Sequence, residues 1–81
     1  MKIVYGAGFR RKFKRLPKFI EPKFKKQASY LIKNIRHPSL RAKKYDEALG
    51  IWQARVNDNY RFYFLISDDT YVLLDIKLHP K

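Results

Sequence analysis

The stretch GIWQARVNDNYRFYFLISDDTYVLLDIKLH, from Gly50 to His79, decides the fold. Two polar clusters, Asn57-Asp58-Asn59 and Ser67-Asp68-Asp69-Thr70, divide it into three segments rich in β-branched and aromatic residues: Ile51 to Val56, Tyr60 to Ile66 and Tyr71 to His79. Successive strand side chains point to opposite faces of a sheet. Trp52, Ala54 and Val56 therefore share a face with Tyr60, Phe62, Phe64 and Ile66, and with Val72, Leu74, Ile76 and Leu78, which is the expected core face. The other face carries Gln53, Arg55, Arg61, Tyr63, Asp75, Lys77 and His79. Keeping one core face across an antiparallel meander requires odd-length loops. Three residues at Asn57 to Asn59, where asparagines tolerate positive φ, and three at Asp68 to Thr70 meet that condition. In this register Arg55 lies opposite Arg61, Arg61 opposite Lys77 and Tyr63 opposite Asp75. His79 emerges beside the Asn57 to Asn59 turn.

Working back toward the amino terminus, the period changes from two to 3.6. Lys2 to Tyr5 is a short β-prone start, broken by Gly6 and Gly8. Phe9, Phe13 and Leu16 at i, i+4 and i+7 mark a basic helix that Pro17 ends. A second helix begins between Pro17 and Pro22, because proline is tolerated only in a first turn, and runs to about Arg36 ahead of His37-Pro38. Its buried stripe is Phe24, Ala28, Leu31, Ile32 and Ile35; Lys25, Lys26 and Lys33 lie opposite, as do Arg10, Arg11, Lys12 and Lys14 on the first helix. His37 belongs at the end of the second helix. Ser39 to Leu49 is polar and reads as a loop. The fold class is α+β, in the order βααβββ, with two helices on one face of a small antiparallel sheet.

At 81 residues the chain forms one domain, spanning 1–81. Hydrophobic residues at 46% and aromatics at 16% exclude a disordered basic tail. Nineteen Lys and Arg against seven Asp and Glu give a net charge of +12, a self-repulsion that a polyanionic partner would relieve. Nucleic acid is the first candidate and an acidic protein the second. Without a membrane-length apolar run or a signal-peptide pattern, a cytoplasmic location and no membrane partner are expected. The absence of cysteine excludes disulfides, thiolate zinc sites and thiol nucleophiles. No glycine-rich phosphate loop or serine triad is present, and no metal or other cofactor is expected.

The chemistry concentrates on the face opposite the core. Like charges directly opposite one another destabilise a sheet, so a row of Arg55, Arg61 and Lys77 implies an anion among them. Two guanidinium forks suit a phosphodiester and the added charge of its transition state, and His79 exchanges protons near neutral pH. These groups fit RNA cleavage by the neighbouring 2′-hydroxyl. Arg61, His79 and Arg55 are the candidate catalytic residues. Tyr63 can stack a base, and with Lys77, Gln53, Lys43, Lys44 and Arg41 it completes the expected RNA-binding set.

Gly50-Ile51-Trp52-Gln53-Ala54-Arg55-Val56, then Asn59-Tyr60-Arg61-Phe62 and the terminal His79, together with the Leu16-Pro17-Lys18 break and His37-Pro38, resemble the RelE/ParE superfamily of toxin-antitoxin toxins. The resemblance covers nearly the whole chain. It implies a fold like the microbial ribonucleases, an acidic antitoxin that wraps the toxin and, in the RelE and YoeB branches, cleavage of messenger RNA, often on the ribosome. Arg61 matches the family's transition-state arginine, His79 the YoeB-like catalytic histidine and Arg55 a basic strand residue of the site. Ala42 falls roughly where the YoeB branch carries a glutamate base, and the chain stops at Pro80-Lys81 before the tyrosine that commonly follows the histidine. The alternatives are a ParE-like inhibitor of DNA gyrase and a non-catalytic RNA-binding domain.

Overall fold

The computed structural model describes residues 1–79; Pro80 and Lys81 lie outside the described residues. The elements run β1 (Lys2–Tyr5), α1 (Ala7–Lys14), α2 (Ile20–Lys33), β2 (Lys43–Asp46), β3 (Ile51–Arg55), β4 (Tyr60–Ser67) and β5 (Thr70–Leu78). They form one five-stranded sheet in the order β1-β5-β4-β3-β2, with both helices packed on one face. The α+β class and the meander hold. Two features extend the expected topology: β1 pairs parallel with β5, making the sheet mixed, and β2 adds a strand inside the segment expected to be a loop. β2 reads Lys-Lys-Tyr-Asp, a charged edge strand of the kind that discourages pairing with other chains, so it carries no apolar alternation to betray it.

The aromatic core explains the helix placement. Phe9 of α1 lies 5.2 Å from Phe24 of α2, ring centre to ring centre, and Phe24 meets Phe62 of β4 edge-on at 5.4 Å. Phe13 stacks on Phe9 at 5.6 Å. Ile20, Leu31, Leu40 and Leu73 are fully buried around them. Pro22 sits in the first turn of α2, where its missing N–H costs nothing. The helix stops at Lys33 rather than near Arg36. Asn34 turns extended, and its side-chain oxygen accepts the Arg36 N–H at 2.9 Å, offering the backbone an alternative to another helical turn. His37 follows the helix and stacks on Tyr30 at 3.8 Å. Of the expected α2 stripe, Ile32 is exposed, while Gln27 is buried in its place.

The β3–β4 register is as expected, with Trp52 opposite Phe64, Gln53 opposite Tyr63 and Arg55 opposite Arg61. Its turn is held differently. Neither asparagine has positive φ; instead the Asn57 carboxamide oxygen accepts the N–H groups of Asn59 and Tyr60 at 2.9 and 2.8 Å. The β4–β5 hairpin departs further. Ser67 pairs with Thr70 across two residues, Asp68 taking the positive φ, and this even-length loop puts Tyr71 and Leu73 on the core face instead of Val72 and Leu74. A β-bulge at Leu74 then inserts one residue and restores the expected parity. Beyond it Tyr63 lies opposite Asp75, Phe62 opposite Ile76 and Arg61 opposite Lys77. Ile66 and Leu78, at the two ends of the meander, are exposed rather than core.

Candidate nucleic-acid interface

The cationic row forms at one end of the open sheet face. Arg61 stands between Arg55 on β3 and Lys77 on β5. Its Nη1 donates to the carbonyl oxygens of Asn57 at 2.6 Å and Tyr60 at 3.0 Å, so the turn fixes the guanidinium before any ligand arrives. Burial, and after it the Arg55 charge, lower the Arg61 pKa from its ordinary value; Arg41 acts in the same direction, while Tyr63 and Asp58 oppose it. Arginine remains charged under all ordinary conditions, so the Arg61 cation is held against partial burial and a neighbouring like charge. Arg55 is ion-paired with Asp58 on the turn.

The backbone beneath Arg55 is pinned from two sides. Its N–H donates to the Leu40 carbonyl at 2.7 Å, and the buried Gln27 of α2 donates from Nε2 to the Arg55 carbonyl at 2.8 Å and to that of Ser39 at 3.0 Å. The Ser39 hydroxyl closes this network by donating to Gln27 Oε1 at 2.9 Å. A buried amide with its partners met is a rigid support. Arg41 lies in the same segment as Leu40 and contributes its charge at Arg61. His79 reaches the same end of the sheet, its backbone N–H donating to the Asn59 carbonyl at 2.7 Å.

Arg55, Arg61, Lys77, His79 and Arg41 thus gather around one end of the sheet. Lys43 faces the same side, paired with Gln53. Lys44 does not: it pairs with Trp52, and its ammonium lies 5.3 Å from the Trp52 ring, on the helix side. Gln53 and Tyr63 lie on the open face yet are buried, Tyr63 to 5% exposure beneath the Tyr45 ring and the Lys77 ammonium, each about 5 Å from its ring centre: 4.9 and 5.0 Å. Burial first, then Tyr45 and Asp75, raise the Tyr63 pKa, so its hydroxyl stays a neutral donor. Ala42 offers no acid. Among the described residues, no three His, Asp or Glu side chains gather where they could hold a metal ion, and no helix is long and apolar enough to cross a membrane.

The YoeB/ParE toxin from Agrobacterium tumefaciens superposes on this chain with a TM-score of 0.80 at 14% identity, covering 99% of this chain and all of that one. YafQ from E. coli strain BL21(DE3) gives 0.78 at 17% identity over 96% of this chain and 92% of the other. The toxin-antitoxin complex of YoeB and YefM from Staphylococcus aureus gives 0.74 at 18%, over 99% of this chain and 98% of that chain. The chain has the fold of these toxins. Neither a protein-family model nor a curated protein matches its sequence. The resemblance read from scattered motifs therefore extends to the fold of nearly the whole chain.

Sequence reasoning missed Asp58, Asn57, Gln27 and Tyr45 as parts of the site. Asp58 and Asn57 read as turn residues, and Gln27 as one polar position in an amphipathic helix. Tyr45 lay in a segment with no strand signal. A glutamine flanked by apolar residues at i−3, i+1 and i+4, as Gln27 is by Phe24, Ala28 and Leu31, was the one available clue.

Proposed function

We propose that this chain is the toxin of a toxin-antitoxin pair and an endoribonuclease that cuts messenger RNA and so stops translation. The observation that carries this reading is the cross-strand row of Arg55, Arg61 and Lys77, with Arg61 held in place by backbone carbonyls. A scissile phosphodiester in this row meets charge that is already organised, so the dianionic transition state gains more than the singly charged ground state. The 2′-oxygen attacks phosphorus as its proton leaves, the bond from phosphorus to the 5′-oxygen breaks, and the departing oxygen takes a proton. The products are a 2′,3′-cyclic phosphate and a 5′-hydroxyl. His79 is the group assigned to supply that proton. Ala42 stands at the position matched to a glutamate base, so the 2′-proton is assigned to water. Such a site works without a strong base and relies on alignment on the ribosome.

Primer extension on cellular messages after induction tests the nuclease reading. Cuts absent from an Arg61→Ala control support it; intact messages accompanied by DNA breaks would replace it with a gyrase inhibitor. The proposed partner is an acidic antitoxin, as the net charge of +12 favours. Saturating antitoxin at low salt should raise the melting temperature by binding the folded form. An unchanged midpoint would refute that pairing.

A further inference from the structure

On the open face, one step along the strands from the cationic row, lies a cleft of about 250 Å³ lined by Tyr45, Ile51, Tyr63, Leu74, Asp75 and Lys77. Three features suit it to a flat ligand with a polar edge. Tyr45 is 56% exposed, and its ring meets Tyr63 edge-on at 4.9 Å, so Tyr63 is the support and Tyr45 the accessible aromatic surface. Leu74 lines this cleft because the β-bulge takes it out of the alternation that leads inward at Leu73 and Ile76. Asp75 receives Lys12 Nζ at 2.8 Å and the Ile76 N–H at 2.9 Å, both on Oδ1. Among the described residues its Oδ2 has no partner. Lys77, over the Tyr63 ring, adds a cationic donor beside that acceptor.

We infer that this cleft binds the base of a nucleotide next to the scissile phosphate and favours bases with an exocyclic amino group over uracil. The inference rests on the nuclease reading, because it takes the phosphate to lie on Arg55, Arg61 and Lys77. Register supplies the spacing: Tyr63 is two residues from Arg61 on β4, and Asp75 two from Lys77 on β5, a step of about 7 Å along each strand. That is within reach of one nucleotide from phosphate to base. Tyr45 stacks the ring, and Asp75 Oδ2 accepts from the amino group of adenine, cytosine or guanine. Uracil has no amino group to offer, and its one edge donor, N3–H, stands between two carbonyl oxygens that a carboxylate repels. Tyr45 and Asp75 are thus specificity-determining residues, distinct from the groups that hold the phosphate.

The test is binding, read apart from cleavage. Short 2′-O-methyl oligonucleotides of adenine, cytosine or uracil cannot be cut by their own 2′-oxygens, and fluorescence anisotropy gives their affinities. Adenine and cytosine oligomers should bind about tenfold tighter than uracil. Tyr45→Ala should weaken them about tenfold, and Tyr45→Phe should not. Asp75→Asn, which keeps an acceptor for the Ile76 N–H, should bring all three oligomers within about twofold of one another. Salt-dependent binding indifferent to the base, to Tyr45 and to Asp75 would overturn the cleft assignment and leave the nuclease reading standing. Absence of binding even at low salt would also overturn the cleft assignment, while the nuclease reading stands or falls on the cuts in cellular messages. Base discrimination in a protein that cuts no message would refute the nuclease reading alone.

Discussion

Arg55 and Arg61 face each other across β3 and β4, and one turn restrains both: Asp58 pairs with the Arg55 guanidinium, while the Asn57 carbonyl accepts from Arg61. Two like charges opposite one another cost stability. The turn lessens that cost by different means for each arginine. Arg55 receives a full negative charge from an exposed carboxylate, and Arg61 receives carbonyl dipoles.

Arg61 therefore carries the unmet charge, and its removal should separate rate from binding. Arg61→Ala should lower single-turnover cleavage of a short RNA, with ribosomes supplied if free RNA is not cut, by on the order of a hundredfold or more while weakening binding much less. Lys25→Ala, which alters an exposed pair with Glu21 on α2, should change neither. Equal cleavage by Arg61→Ala and the parent would refute the site.

The same crowding predicts a gain in stability. Burial and the Arg55 charge both disfavour the Arg61 cation in the folded state, so Arg61→Gln should melt above the parent by a few degrees at low salt, a trade of stability against activity. Because the repulsive part is screened, the gain should shrink in high salt. A lower midpoint under both conditions would mean that the carbonyl contacts outweigh the repulsion.

Asp58 acts in the opposite sense, occupying a guanidinium that a phosphate would otherwise hold. Asp58→Asn should raise affinity for single-stranded RNA several-fold and steepen its logarithmic salt dependence by up to about one unit, since one more cation becomes available to phosphate. The Asp58 carboxylate is 82% exposed, so the melting temperature should move little. Affinity that is unchanged across a salt titration would show that Arg55 does not meet the phosphate.

His79→Gln should lower the cleavage rate, because it removes the group assigned to protonate the departing 5′-oxygen. Tyr63 acts at the alkaline end: its folded pKa is raised, so its contribution to stability is complete below the unfolded value near 10 and is lost as pH rises past it. Denaturant melts from about pH 9 to 11.5 should show a smaller alkaline loss in Tyr63→Phe than in the parent. Tyr71, raised by burial, should leave a residual loss in both.

At the β1–α1 junction, a Cβ added to Gly6 would lie 2.8 Å from the Leu73 carbonyl oxygen, the group that accepts the Gly6 N–H. Gly6→Ala should cost about 1–3 kcal/mol in chemical denaturation, because backbone, not a pliable side chain, must move. At Gly8 the added atom would meet the Leu74 carbonyl oxygen at 3.5 Å, an ordinary contact. Gly8→Ala should be neutral or stabilising, since alanine is the better helix former.

Residues 50–79 determined by themselves that a sheet forms, that Phe62, Phe64 and Ile76 face inward, and that Arg55, Arg61 and Lys77 align. The three-residue loop sets the parity of β3 against β4, and alternation does the rest. The sequence also placed most of both helix stripes, because Phe9 and Phe13 on α1, and Phe24, Ala28 and Leu31 on α2, recur at helical spacing, Ile32 excepted. Only the tertiary structure decided that Tyr71 and Leu73 replace Val72 and Leu74 in the core. A two-residue turn and a later bulge cancel in register, so the pattern near Lys77 is the same as for a longer loop without a bulge, and all four residues are apolar enough to sit on either face. Likewise β2 forms because β3 offers it an edge, not because Lys-Lys-Tyr-Asp favours a strand. The long-range contacts that bury Gln27 against Ser39 and Arg55, and that bring Tyr45 over Tyr63, join residues whose local sequences carry no trace of one another.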